Sequence, residues 1–108
     1  MICFSIRLVV PAAKRQEIIA SFAALLPPTR VQPDCMSARL YVDADDSNVM
    51  TLVEEWASRP QLDRYLASDA GRLLLEAMES SSEAPAVRFD TIQQTGGMEF
   101  LAQARSRG

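Results

Sequence analysis

A chain of 108 residues, 48% hydrophobic and 23% charged, has the composition of one globular domain, and a domain this long buries about two-thirds of its unfolded surface. The net charge of −3, with no stretch that interleaves Lys and Arg with aromatic residues, argues against capture of nucleic acid or an anionic membrane. There is no histidine, which removes the commonest general base and metal ligand, a haem axial ligand, and every Ser-His or Cys-His nucleophile.

The apolar runs are too short and too charged to span a bilayer, and the N-terminus lacks the pattern of a signal peptide, so the cytoplasm is the expected location. From Ile2 to Val10 the residues alternate, with Ile2, Phe4, Ile6, Leu8 and Val10 on one face of a first strand that Pro11 ends. The spacing then becomes helical from Ala12 to Leu26, where Ile18, Ile19, Phe22, Leu25 and Leu26 make one stripe. Pro27-Pro28 predicts the end of that helix, and Thr29 to Asp34 a loop. Met36 to Asp43 alternates again, with Met36, Ala38, Leu40 and Val42 on one face. The cluster Asp43, Ala44, Asp45, Asp46, Ser47, Asn48 is turn chemistry of a hairpin. It lacks the glycine and terminal glutamate of a calcium loop, so no metal is expected there.

A third strand, Val49 to Trp56, puts Met50, Leu52, Glu54 and Trp56 on one face. Ser58 three residues before Gln61 is a capping box, and Pro60 suits a first helical turn, so a helix starts just past the only tryptophan. That helix, about Pro60 to Ala67, turns Leu62, Tyr65 and Leu66 inward. Ser68 or Asp69 caps a second segment through Glu79, with Leu74, Leu75 and Met78 inward. A polar linker, Ser80 to Pro85, leads to a fourth strand over Ala86 to Thr95, with Val87, Phe89 and Thr91 on one face. Gly96-Gly97 is a hinge; Met98, Leu101, Ala102 and Arg105 beyond it predict one or two helical turns, or an arm lying on a partner. The chain thus divides into a domain over residues 1–95 and a C-terminal arm over 96–108.

The order βαββαβ, with its second helix split, predicts a ferredoxin-like α+β fold, a four-stranded antiparallel sheet with helices on one face. The other face carries Val9, Tyr41, Val49, Val53 and Ile92, too apolar for open water, and predicts face-to-face dimerisation. Arg7, Arg39 and Arg88 on that face are suited to pair with Asp43, Glu55 or Asp90. Cys3 and Cys35 are too few for a disulfide framework or a zinc site and are expected to be reduced.

In its element order and in the segment Glu54-Glu55-Trp56-Ala57-Ser58, continued by Leu62 and Tyr65-Leu66-Ala67-Ser68, the chain resembles the antibiotic biosynthesis monooxygenase family of dimeric α/β-barrel proteins. The resemblance covers roughly residues 1–95. It implies a homodimer and a monooxygenase that works without cofactor on an aromatic or quinol-like molecule and molecular oxygen. Tyr65 stands where members commonly carry His, nine residues after the Trp; Leu52 stands where members acting on polyketide phenols carry Asn, four before it. The haem-degrading branch needs an axial histidine, so haem degradation is not expected.

Four residues are candidates for chemistry. Trp56 either stacks on a substrate ring or anchors the core. Glu54, on the same strand face, is a base if burial raises its pKa, and otherwise pairs with an arginine or lies exposed at the strand edge. Tyr65 either donates to a substrate oxygen or is a core tyrosine, and Arg72 either stabilises an oxyanion or is solvated. Phe4, Leu52, Leu62 and Leu66 are the apolar lining expected around them. Should Leu52, Leu62, Leu66 and Trp56 fill that cleft, a non-catalytic binding or association module is favoured. An open pocket containing Glu54 favours catalysis, by oxygenation or by cofactor-free isomerisation or decarboxylation.

Overall fold

Antiparallel pairing places the strands in the order β2-β3-β1-β4 in a computed structural model that describes all 108 residues. The strands are β1 (Ile2–Val9), β2 (Cys35–Val42), β3 (Val49–Trp56) and β4 (Ala86–Thr91). Helix α1 (Arg15–Arg30) follows a 3-10 turn, α2 (Arg59–Leu66) and α3 (Asp69–Glu79) follow β3, and α4 (Met98–Arg107) closes the chain. This is the ferredoxin-like α+β fold expected from the element order. No helix is long and apolar enough to cross a membrane.

The alternation in β1 and β3 sets the core. Phe4, Ile6, Leu8, Met50, Leu52, Glu54 and Trp56 are all buried on the helix-facing side, packed with Ile18 and Phe22 of α1, Leu62 and Tyr65 of α2, and Leu74 of α3. The hairpin turn is built as expected: Asp43 Oδ1 accepts from the backbone N–H groups of Asp45 (2.8 Å) and Asp46 (3.2 Å), and Asp46 Oδ1 accepts from that of Asn48 (3.0 Å). Ser58 caps α2 by accepting from the Gln61 N–H, and Ser68 caps α3 through the N–H of Ala70.

Four expectations are corrected. Helix α1 does not stop at Leu26 but runs through Pro27 and Pro28 to Arg30, so Thr29 is helical and buried rather than in a loop. Two prolines remove two helical donors, and tertiary bonds hold the last turn instead. The Thr29 hydroxyl contacts that of Tyr65 at 3.0 Å, and Arg30 Nε donates to the Ala38 carbonyl at 2.9 Å. In β2 the register shifts between Cys35 and Ser37; this bulge leaves Met36 60% exposed, off the face it was expected to share with the buried Ala38. Leu75 is also exposed, not inward, because α3 turns Leu74 and Ala77 to the core. Strand β4 is shorter than Ala86 to Thr95, its pairing with β1 running out at Ile2↔Thr91. Beyond it, α4 is a helix of 10 residues, every one exposed.

The α2–α3 corner depends on Gly71. A Cβ there would lie 1.7 Å from the Leu66 carbonyl oxygen, which is backbone and cannot yield cheaply. Gly71→Ala is expected to destabilise the fold by about 3 kcal/mol, measured by urea unfolding; an unchanged midpoint would show that the corner repacks freely.

Candidate functional site

Cross-strand register brings the site together. Ala38, Glu54, Phe4 and Phe89 form one row across the sheet, and Leu40, Leu52, Ile6 and Val87 form the next. Both rows face the helices. Over β3 the row is sealed by α1 and α2; over β4 it is not, and Val87 and Phe89 are each 42% exposed.

At the sealed end lies a buried polar cluster. Glu54 is 1% exposed. Its Oε1 accepts from Trp56 Nε1 at 2.9 Å, and its Oε2 lies 3.3 Å from the Tyr65 hydroxyl. The Tyr65 hydroxyl is also 3.0 Å from Thr29 Oγ1, which donates to the Leu25 carbonyl at 2.8 Å. The Trp56 and Tyr65 rings pack tilted at 39° with centroids 5.0 Å apart. No buried side-chain polar atom lacks a partner.

The Tyr65 hydroxyl donates to Glu54 Oε2, so each carboxyl oxygen has one donor, the indole N–H on Oε1 and the phenol on Oε2. Burial pushes the Glu54 pKa upward, against the opposing pull of the Trp56 and Tyr65 hydrogen bonds. Burial, reinforced by the nearby Glu54 charge, likewise raises Tyr65.

At the open end, between α3 and the β1–β4 edge, lies a cavity of about 210 Å³. Phe4, Ile6, Leu66, Gly71, Leu74 and Met78 line its depth, and Leu75, Val87 and Phe89 its mouth. The Phe4 and Phe89 rings stand 4.8 Å apart and tilted by 36°. Phe4 is therefore the partition between the cavity and Glu54, its cross-strand partner.

The structure brings Trp56, Glu54 and Tyr65 into direct contact but keeps them out of the cavity. Phe4 and Leu66 line the cavity; Leu52 and Leu62 are buried in the core and do not. Arg72 belongs to neither group: it is solvated on α3, 2.8 Å from Glu76. Thr29, Val87 and Phe89 were not anticipated. Thr29 was hidden behind the two prolines, whereas the inward face of β4 was readable but its register against β1 was not. No group of three Cys, Asp or Glu side chains converges to hold a metal ion. Cys3 and Cys35 are free thiols whose pKa values burial raises, away from the range of a reactive thiolate.

Two outcomes follow from the buried cluster. Tyr65→Phe removes the link between Glu54 and Thr29 and is expected to cost about 2 kcal/mol in chemical unfolding. Because the folded pKa of Glu54 lies above its unfolded value, its contribution is complete at low pH and is lost as pH rises through the folded pKa. The stability of wild type relative to Glu54→Gln is therefore expected to fall on going from pH 4 to neutrality. A difference that grows with pH would show that Glu54 is held as the anion.

Comparison with known proteins agrees with this architecture. No curated protein matches the chain. A solved antibiotic biosynthesis monooxygenase superimposes with a TM-score of 0.77 at 21% identity, over 87% of this chain and 100% of that one. A Mycobacterium tuberculosis protein superimposes at 0.79 with 24% identity, over 89% of this chain and 98% of its own. A Shewanella oneidensis protein does so at 0.74 with 26% identity, over 82% of this chain and 87% of its own. The sequence profile of the antibiotic biosynthesis monooxygenases matches residues 1–84, well over half of the chain, and the protein belongs to that family.

Proposed function

We propose that the protein is a cofactor-independent monooxygenase that oxidises an aromatic or quinol-like small molecule held in the cavity beside β4. The observation that carries this reading is the apolar cavity itself, faced by two phenyl rings and one strand removed from a buried acid. Apolar walls with aromatic faces suit a flat ring, and family membership supports oxygen chemistry on such a ring.

In the proposed reaction a phenolic substrate enters the cavity as its anion, and the ring carbon opposite the hydroxyl gives an electron pair to molecular oxygen. One oxygen atom stays on that carbon. The other leaves as water with the two hydrogens the substrate loses, so the phenol becomes a quinone. The substrate supplies all the electrons. The protein holds the ring, excludes water and orients the approach of oxygen. Phe4 and Phe89, packed on each other, would form one aromatic wall for the substrate ring, Leu66 and Leu74 close the back, and the Glu54–Trp56–Tyr65 cluster keeps the Phe4 wall rigid. Oxygen uptake with a panel of hydroquinones and polycyclic phenols tests this. Uptake above autoxidation is expected in wild type and at least a tenfold loss in a folded Val87→Trp, which fills the cavity mouth. Uptake equal in the two proteins would remove the cavity from the reaction.

A second reading is favoured by a specific observation: Glu54, Trp56 and Tyr65 satisfy one another completely and face no opening. On that reading the cavity binds a small apolar ligand without turnover, and the uptake assay stays at background across the panel while binding persists.

The active form is proposed to be a homodimer. The sheet face opposite the helices carries Val9, Val53 and Tyr41, the last 54% exposed, with no element of the chain over it. A second copy laid on this face would bury it. Light scattering is expected to give twice the 11.9 kDa chain mass for wild type and a shift to the single-chain mass for Val53→Asp; a wild-type monomer would refute the dimer.

A further inference from the structure

Helix α4 carries an apolar side with nothing packed on it. Met98, Leu101, Ala102 and Arg105 recur at the spacing of one helical face, and Met98 is 75% and Leu101 53% exposed. Phe100, on the opposite side of the helix, rests on the Gly96 backbone, where a Cβ would not fit. The Cα radius of gyration is 15.8 Å, where a compact domain of this length has about 13 Å. The helix also lies beyond residues 1–84, over which the family profile matches, so the shared fold does not account for it.

The helix layer has a vacancy of matching kind. Leu75, Val87 and Phe89 at the cavity mouth are exposed, and no element of the chain covers them. Chain direction leads α4 towards that gap. Ser81 and Ser82 tie the end of α3 to Val9, at one end of the sheet. Strand β4 leaves at the other end, where Thr91 pairs with Ile2 and the Ile92 N–H donates to the Met1 carbonyl. A helix folded back from there over β4 runs parallel to α3. The connection over residues 93–97 has the ordinary length of a strand-to-helix turn, about 2–6 residues. Side by side and parallel, the two helices set Leu101 on Leu75 and, one turn further on, Arg105 on Glu79. Neither Arg105 nor Glu79 is in an ion pair with α4 extended.

We propose that α4 is a lid. Turning at Gly96-Gly97, it folds back over β4 and closes the cavity, with Met98 and Leu101 on Leu75, Val87 and Phe89, and Arg105 paired with Glu79. Burial of the facing apolar side chains drives closure; the exposed ion pair sets the register more than the strength. The extended position leaves the mouth open for entry, and the closed one excludes water from the cavity. The lid goes beyond the oxygenase reading, because every part that closes belongs to the chain itself.

The test is disulfide trapping in a background of Cys3→Ser and Cys35→Ser. Leu75→Cys with Leu101→Cys brings two thiols together only when α4 is closed. Leu73→Cys with Leu101→Cys is the control, since Leu73 faces the groove between α1 and α3. Under mild oxidation the first pair is expected to bridge within one chain about tenfold faster than the second. Adding Arg105→Glu is expected to slow bridging about threefold, and adding Glu79→Arg as well to restore it. All these positions on α3 and α4 are exposed, so the variants fold, and circular dichroism checks that they do. Equal rates for the two cysteine pairs would overturn the lid. A rate indifferent to both charge reversals would overturn the Arg105–Glu79 register. A bridge between two chains, seen as doubled mass in denaturing electrophoresis, would overturn the lid and assign α4 to a second copy. None of these outcomes requires turnover, so failure of the lid and failure of the oxygenase reading are told apart.

Discussion

A carboxyl group sealed inside a small core is the constraint around which this protein is arranged. Glu54 lies in the middle of the sheet's helix-facing side, where an isolated carboxylate would be costly. The fold answers with an indole N–H from the same strand, a hydroxyl from α2 and, behind that, a hydroxyl from the last turn of α1. Three elements distant in sequence are thereby locked to one atom group. The contacts also hold α1 helical through two prolines, since Thr29 can reach Tyr65 only if the last turn forms. A satisfied polar network of this kind favours one arrangement of the helices over alternatives that would strand a polar atom.

The same arrangement explains why the cavity lies where it does. The helices lie chiefly over β2 and β3, around the buried face of β3 that ends in Trp56, and their coverage stops short of β4. Inward-facing Val87 and Phe89 are left without a roof, and the close approach of α3 to α2 at Gly71 fixes the width of the gap. Phe4 belongs to both regions. One side of it closes the polar cluster and the other offers a ring to the cavity, so rigidity in the cluster becomes order in the binding wall.

This division of labour separates residues that the strand pattern grouped together. Glu54, Leu52 and Trp56 share a strand face, and the pattern by itself groups all three in one pocket with Leu62. In the folded chain they form the sealed part of the row, and the accessible part is made by Phe4, Leu66 and residues of α3 and β4. Arginine is the sharper case. Arg72 and Arg59 both stand near helix starts, and nothing local distinguishes them. Arg72 is drawn outward by Asp69 and Glu76 on its own helix face, whereas Arg59 is set over Phe89, a residue on a strand formed thirty residues later.

Local chemistry by itself determined the element order, the inward faces of β1 and β3, the Asp43 turn and the Ser58 and Ser68 caps, because each depends on neighbours within a few residues. The family was legible for a related reason: the Glu-Glu-Trp strand end and the helix start that follows it are contiguous in sequence. Tertiary structure alone decided the helical state of Thr29, the outward turn of Met36 at the bulge, the exposure of Leu75, and which aromatic residues meet across β1 and β4. Each of these is settled by contacts between distant segments, where burying a polar group or matching a register outweighs the local preference of the chain.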